Sequence, residues 1–72
     1  MSIEEKIVLL EELMDLDKGT LTPDVNLEDV EEWDSLSKLS LIAEAKHTFH
    51  LSLRAEQLKE FKTIQDICDY LQ

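Results

Sequence analysis

The chain has 72 residues, 43% of them hydrophobic, with seventeen acidic side chains against seven basic ones and a net charge of −10. One small domain is all that this length supports, and a domain of about 60 residues buries only roughly 60% of its unfolded surface, so there is little room for a deep, pre-formed catalytic pocket. The charge disfavours nucleic acid and anionic lipid and steers basic protein surfaces toward the chain.

Ser2 and Glu5 have the spacing of a capping box. Ile3, Ile7, Leu10 and Met14 then recur at helical spacing, Leu9 and Leu13 widen the stripe, and Glu4, Glu5, Glu11 and Glu12 fall largely on the wet side. This predicts a core-packing first helix over about residues 3–15. Gly19 and Pro23 break the pattern, and no helical period holds from Asp17 to Asp34. A connection of that length in so small a domain is normally functional or pinned by its own side chains. Leu21, Val25, Leu27, Val30 and Trp33 are spaced as pins, which predicts an ordered loop with one short turn near 27–31.

Asp34 is a good N-cap for a second helix over about 35–49. Leu36, Leu39, Ile42, Ala45 and Phe49 give it one stripe, and Leu41 broadens it. His50 to Ser52 connect to a short helix near 54–60 with Leu58 inward. Thr63 and Asp66 form a second capping box, ahead of Ile64, Ile67, Cys68 and Leu71 at i, i+3, i+4 and i+7. The expected fold is all-α: a small irregular four-helix bundle of three main helices and one short one, with a long loop between helices 1 and 2. Repeats, low-complexity tracts and a second domain are not apparent.

Asp34 as cap puts Ser35 at the first helical position. A residue there lies near free backbone N–H groups and the positive end of the helix dipole, where a linked anion, phosphate especially, is favoured. A serine hydroxyl at this place is exposed and open to esterification. The plainer reading, that Asp34 and Ser35 simply cap a helix, stands beside it on this local pattern.

The wider pattern is more specific. Asp34-Ser35-Leu36 follows an acidic loop and precedes an apolar helix. Downstream, Phe49, Leu51-Ser52-Leu53, Thr63-Ile64-Gln65-Asp66-Ile67 and Asp69-Tyr70-Leu71 recur in register. Together with the charge and length, these residues resemble an acyl carrier protein, from about Ile3 to Leu71. The resemblance implies a non-catalytic carrier. It implies that Ser35 bears a 4′-phosphopantetheine arm, donated from coenzyme A by a separate magnesium-dependent phosphopantetheinyl transferase. The arm's thiol would hold acyl groups as thioesters for loading ligases or transferases, ketosynthases and similar enzymes with basic docking patches. Asp34 would cap the helix and help the transferase recognise it, Glu31 and Glu32 would face partners, and Leu36 is either an exposed docking contact or ordinary core. Leu41, Ala45, Leu58 and Ile64 would wall an acyl cavity between helices two and three.

Two rivals remain at this point. An aminoacyl or peptidyl carrier shares the fold and the arm, although a free-standing, strongly acidic chain tilts the reading to acyl cargo. An unmodified acidic helical interaction domain would need no arm at all. The expected state is a monomer in the cytoplasm, with no signal peptide or membrane span.

The chain also departs from the family. Carriers of fatty-acid synthesis typically have a strongly acidic second helix. Here that helix holds Ser37, Lys38, Ser40, Lys46 and His47, with Glu44 its only acid after Asp34. The negative charge lies upstream instead, in Asp24, Glu28, Asp29, Glu31, Glu32 and Asp34. Charge pattern sets partner choice more than raw affinity. A dedicated carrier for a specialised pathway such as polyketide synthesis, docking through its loop acids, is therefore expected.

Other candidates are weaker. The single cysteine, Cys68, permits no internal disulfide and sits on an inward stripe as a small apolar residue. Glu44, His47 and His50 are a thin set of zinc ligands near a helix end. Asp15, Asp17 and Gly19 mimic the start of a calcium loop, but Thr20 and Asn26 stand where its glycine and closing glutamate belong. No metal site is expected. Trp33 is a docking aromatic or a pin for the long loop, and the pin is favoured because an unpinned loop would leave Ser35 poorly placed.

Overall fold

The computed structural model describes residues 2–72. Both outer helices start at the anticipated capping boxes. The Glu5 N–H donates to Ser2 Oγ at 3.2 Å, while the Ser2 N–H donates to Glu5 Oε1 at 3.0 Å; this opens α1, Ile3–Leu13. The Thr63 and Asp66 side chains exchange bonds in the same way and open the last helix, Ile64–Tyr70. Between them lie a 3-10 turn at Leu27–Asp29, α2 at Ser35–Phe49 and the single-turn α3 at Ala55–Leu58; the last helix is α4. Order and number follow the sequence pattern. The first helix stops two residues early because Asp15 turns left-handed at φ 59°. His50 takes φ 57° and ends α2.

Burial explains the packing. Leu10, Leu41, Ala45, Ile64, Ile67 and Leu71 are fully enclosed, and each large aliphatic side chain so buried contributes about 1.5–3 kcal/mol. α1 packs on α2 and α4, and α3, with Leu58 buried, packs on α2. Among the described residues, no buried side-chain polar atom lacks a partner. Among those residues, likewise, no helix is long and apolar enough to cross a membrane.

The structure corrects two expectations. The inward row of α2 is Ser37, Leu41 and Ala45, one helical turn apart. Leu39, expected on the helix stripe, is 64% exposed, and Leu36, held open as an exposed contact or core, is 73% exposed. The helix is rotated so that small Ser37, not a leucine, meets the loop, and Ile42 and Phe49 pack on the edge of the core. The second correction is Glu11, expected on the wet side but buried. Its Oε2 accepts the N–H groups of Gly19 and Leu21, each at 2.9 Å. A buried carboxylate is costly unless hydrogen-bonded, and here the long loop supplies the donors. Gly19 takes φ 93°, a left-handed conformation that glycine adopts without steric cost and that this turn requires.

The far end of the same loop is strapped to the start of α4. Leu27 N–H donates to the Lys62 carbonyl at 2.8 Å, Ile64 N–H to the Val25 carbonyl at 3.1 Å, and Gln65 N–H to the Pro23 carbonyl at 2.9 Å. Leu21 and Leu27 are buried, while Val25, Val30 and Trp33 are half-buried against the core. The loop is thus held along its length by side-chain pins and backbone bonds, and it delivers the chain to α2 in one defined place.

Candidate functional site at the start of the second helix

Segment 30–38 is fixed by hydrogen bonds that its own sequence provides. Trp33 N–H donates to the Val30 carbonyl at 3.1 Å, which closes the last loop turn. Asp34 stays extended, and its Oδ1 accepts the Ser37 N–H at 3.0 Å. Its carbonyl takes the Lys38 N–H, also at 3.0 Å, and the helix begins. The Ser37 hydroxyl turns back and donates to the Glu32 carbonyl at 2.6 Å. The bond from the Ser37 N–H holds the Asp34 carboxyl below the ordinary carboxylate range.

The two serines of this turn therefore have opposite fates. Ser37 is buried and its hydroxyl is committed to the loop. Ser35, the first residue of α2, is exposed. No histidine of α2 is near it: His47 stands twelve residues on, about 18 Å along the helix. An exposed serine with no base beside it is not set up as an activated nucleophile. Exposed Leu36 and Leu39 flank it. Glu31, Glu32, Asp24, Glu28 and Asp29 are all exposed on the incoming loop.

Ser35 also lines a cleft of about 290 Å3 between α2 and α3, together with Lys38, Leu39, Ile42, Ala55, Leu58 and Lys59. Of the four residues expected to wall an acyl cavity, only Leu58 reaches this cleft. Leu41, Ala45 and Ile64 lie in the closed core. Lys38 and Lys59 were not singled out from the sequence, although Ser35, Lys38, Leu39 and Ile42 share one helical face at i, i+3, i+4 and i+7.

The remaining candidates lie apart from this turn. Cys68 is buried in α4, and burial pushes its thiol up in pKa, away from the reactive thiolate. Glu44 accepts the Thr48 hydroxyl at 2.7 Å. Asp17 accepts at its carbonyl from Thr20 in the Gly19 turn. Among the described residues, no three His, Cys, Asp or Glu side chains gather closely enough to hold a metal ion. Trp33 packs against the core with its ring 5.9 Å from Lys38 Nζ, which suits a pin.

A family model described as a phosphopantetheine attachment site matches residues 7–71. The chain is 39% identical over 70 residues to an acyl carrier protein of Aster yellows witches'-broom phytoplasma (strain AYWB), covering 96% of this chain and 92% of the relative. It is 34% identical to an acyl carrier protein of Onion yellows phytoplasma (strain OY-M), covering 99% and 93%. A third, from Thermobifida fusca (strain YX), is 30% identical and covers 100% and 99%. No solved structure gives a significant match.

Proposed function

This chain belongs to the phosphopantetheine-attachment family as an acyl carrier protein, and we propose that Ser35 is the residue that bears its arm. The observation that carries this reading is the contrast within one turn of helix: Ser35 exposed at the first position of α2, Ser37 buried and hydrogen-bonded. An exposed hydroxyl at a rigid helix entrance is the group a transferase can reach, and the residues around it fit a covalent phosphodiester.

When bound, the 4′-phosphopantetheine arm supplies a thiol that holds an acyl group as a thioester, an activated acyl donor. The chain's own residues do the positioning. Asp34 and Ser37 lock the helix entrance, and Glu11 and Trp33 lock the loop that leads to it. Leu36 and Leu39 give partners an apolar contact beside the hydroxyl. Tethering raises the local concentration of cargo at a docked enzyme without tight binding. A transferase and acyl-processing enzymes are thus its partners, and the chemistry is theirs. Acyl rather than aminoacyl cargo follows the names of the relatives, and family membership displaces the unmodified interaction domain.

The pathway is a specialised one, polyketide-type rather than housekeeping fatty-acid synthesis. What supports this is the charge layout: Glu31, Glu32 and the other exposed loop acids stand upstream of Ser35, while α2 carries Lys38 and Lys46. Basic partner patches are steered first to the loop. Turnover by a fatty-acid elongation ketosynthase at a housekeeping carrier's rate would contradict it.

The attachment is tested by incubating the protein with coenzyme A, magnesium and a broad-specificity transferase and measuring intact mass. One arm is expected on the native chain and none on Ser35→Ala. An unchanged native mass, or an arm on the variant, rejects the assignment.

A further inference from the structure

Basic side chains are scarce here, seven in 72 residues, yet two of them, Lys38 and Lys59, line the cleft that holds Ser35. Lys38 follows Ser35 by three residues and so shares its face of α2. It is half-buried, with its ammonium 5.9 Å from the centroid of the Trp33 ring, a placement that restrains a flexible lysine through cation–π attraction. Lys59 caps the C-terminal end of α3 and is carried to the cleft by the packing of α3 on α2.

Such cations add to what the helix end itself offers an anion. A helix N-terminus ordinarily offers its free N–H groups to a phosphate. In this chain the Asp34 carboxylate has taken the Ser37 N–H, a bond that lowers its pKa further. Glu31 and Glu32 stand exposed just upstream. A phosphodiester on Ser35 therefore has carboxylates on the loop side and ammonium groups on the cleft side.

Resting on the assignment of Ser35 as attachment point, we propose that Lys38 and Lys59 form a cationic pair that receives the phosphodiester borne on Ser35 and draws it to the α2–α3 side of the helix end, away from the acidic loop. Lysines suit this task as point charges that need no bidentate geometry. Both lie at the surface or its edge, so the attraction is screened by salt. It acts as an orientation bias on the group and leaves it free to be drawn off by a docked enzyme.

Amide and phosphorus NMR test the pair. Isotopically labelled native protein, Lys38→Gln, Lys59→Gln, the double variant and the double arginine variant are each treated with transferase and coenzyme A. Intact mass is recorded first, then spectra at low and high salt. The expected result is one arm on every form. In the native protein, amide shifts on modification appear at Ala55–Lys59 as well as at Asp34–Ser37. The α3 shifts shrink at high salt, are lost in the double glutamine variant and persist in the double arginine variant. The phosphorus signal moves with them. Amide spectra of the unmodified variants report whether the bundle is intact, and Lys59→Gln alone, at an exposed position, is expected to reduce the α3 shifts. One arm with silent α3 amides, or α3 shifts that survive loss of both cations, overturns the pair while leaving the attachment site standing. No arm on the native chain, or an arm retained by Ser35→Ala, overturns both.

Discussion

Leu36 and Leu41 lie five residues apart on α2, yet one is 73% exposed and the other fully enclosed. The enclosed face of that helix holds the bundle together through Leu41 and Ala45, and it accepts a serine, Ser37, only because the loop carbonyl of Glu32 receives its hydroxyl. The outer face keeps Leu36 and Leu39 in water beside an exposed Ser35. The fold gains little from those two leucines. Their place next to Ser35, the proposed attachment residue, fits a surface kept for partners. One helix thus divides its apolar residues between two duties, and substitutions tell them apart.

The largest contrast is in stability. Leu41→Ala empties a closed site and is expected to cost about 2–5 kcal/mol, against a total on the order of 5 kcal/mol for so small a domain. Urea unfolding followed by circular dichroism should show a midpoint lowered by roughly two fifths or more. Leu36→Ala should stay within about 0.5 kcal/mol of the native protein, yet lower kcat/KM for transferase or partner enzymes several-fold. Equal stability losses in the two variants would erase the distinction between the faces.

Next in size is Glu11→Ala. It leaves the Gly19 and Leu21 N–H groups without their acceptor, about 1–3 kcal/mol for each buried donor that water does not reach. Glu11→Gln keeps an acceptor oxygen and should lose less. Thermal melts of the two variants make the comparison. Coincident midpoints would mean that the carboxylate is not clamping the loop.

Smaller again is Ser37→Ala, which removes one hydrogen bond to the Glu32 carbonyl and should cost about 1 kcal/mol. Modification should still go to completion, but more slowly, because the entrance to α2 is looser. A single time course of mass gain reads both quantities. An unmodified variant would shift the site assignment from Ser35 toward Ser37.

The smallest effect is in acid. The Asp34 carboxyl is held low by the Ser37 N–H, and Asp66 by the N–H groups of Lys62 and Thr63. A carboxyl whose pKa is lower folded than unfolded adds stability above its unfolded value, near 3.9. That stability is lost as pH falls through the folded value. The melting midpoint should therefore keep these contributions from neutral pH to about 5 and lose them only below about 4. Asp34→Asn should flatten part of that acid limb; an unchanged limb would remove Asp34 from the account.

Much of this was legible in the residues. The caps at Ser2, Asp34 and Thr63 bond as their spacing implies because capping is local chemistry between residues three apart. The loop pins Leu21 and Leu27 are buried as their apolar character suggests. What escaped was long-range or rotational. A glutamate in a helical stripe looks solvent-facing until a loop eight to ten residues away supplies two donors, and only the folded chain brings Gly19 and Leu21 to Glu11. The rotation of α2 was misjudged because periodicity counts leucines, whereas the fold turned Ser37 inward to meet the loop. Lys59 reaches the cleft of Ser35 only through the packing of α3 on α2, which no spacing along the chain reveals.

The central claim is best tested by locating the adduct itself. Protein modified with coenzyme A and transferase is digested, and the peptide spanning Trp33 to Ser40 is fragmented in a mass spectrometer. The account predicts the whole added mass on Ser35. An adduct carried by Ser37 or Ser40, or by a residue outside that peptide, would contradict it.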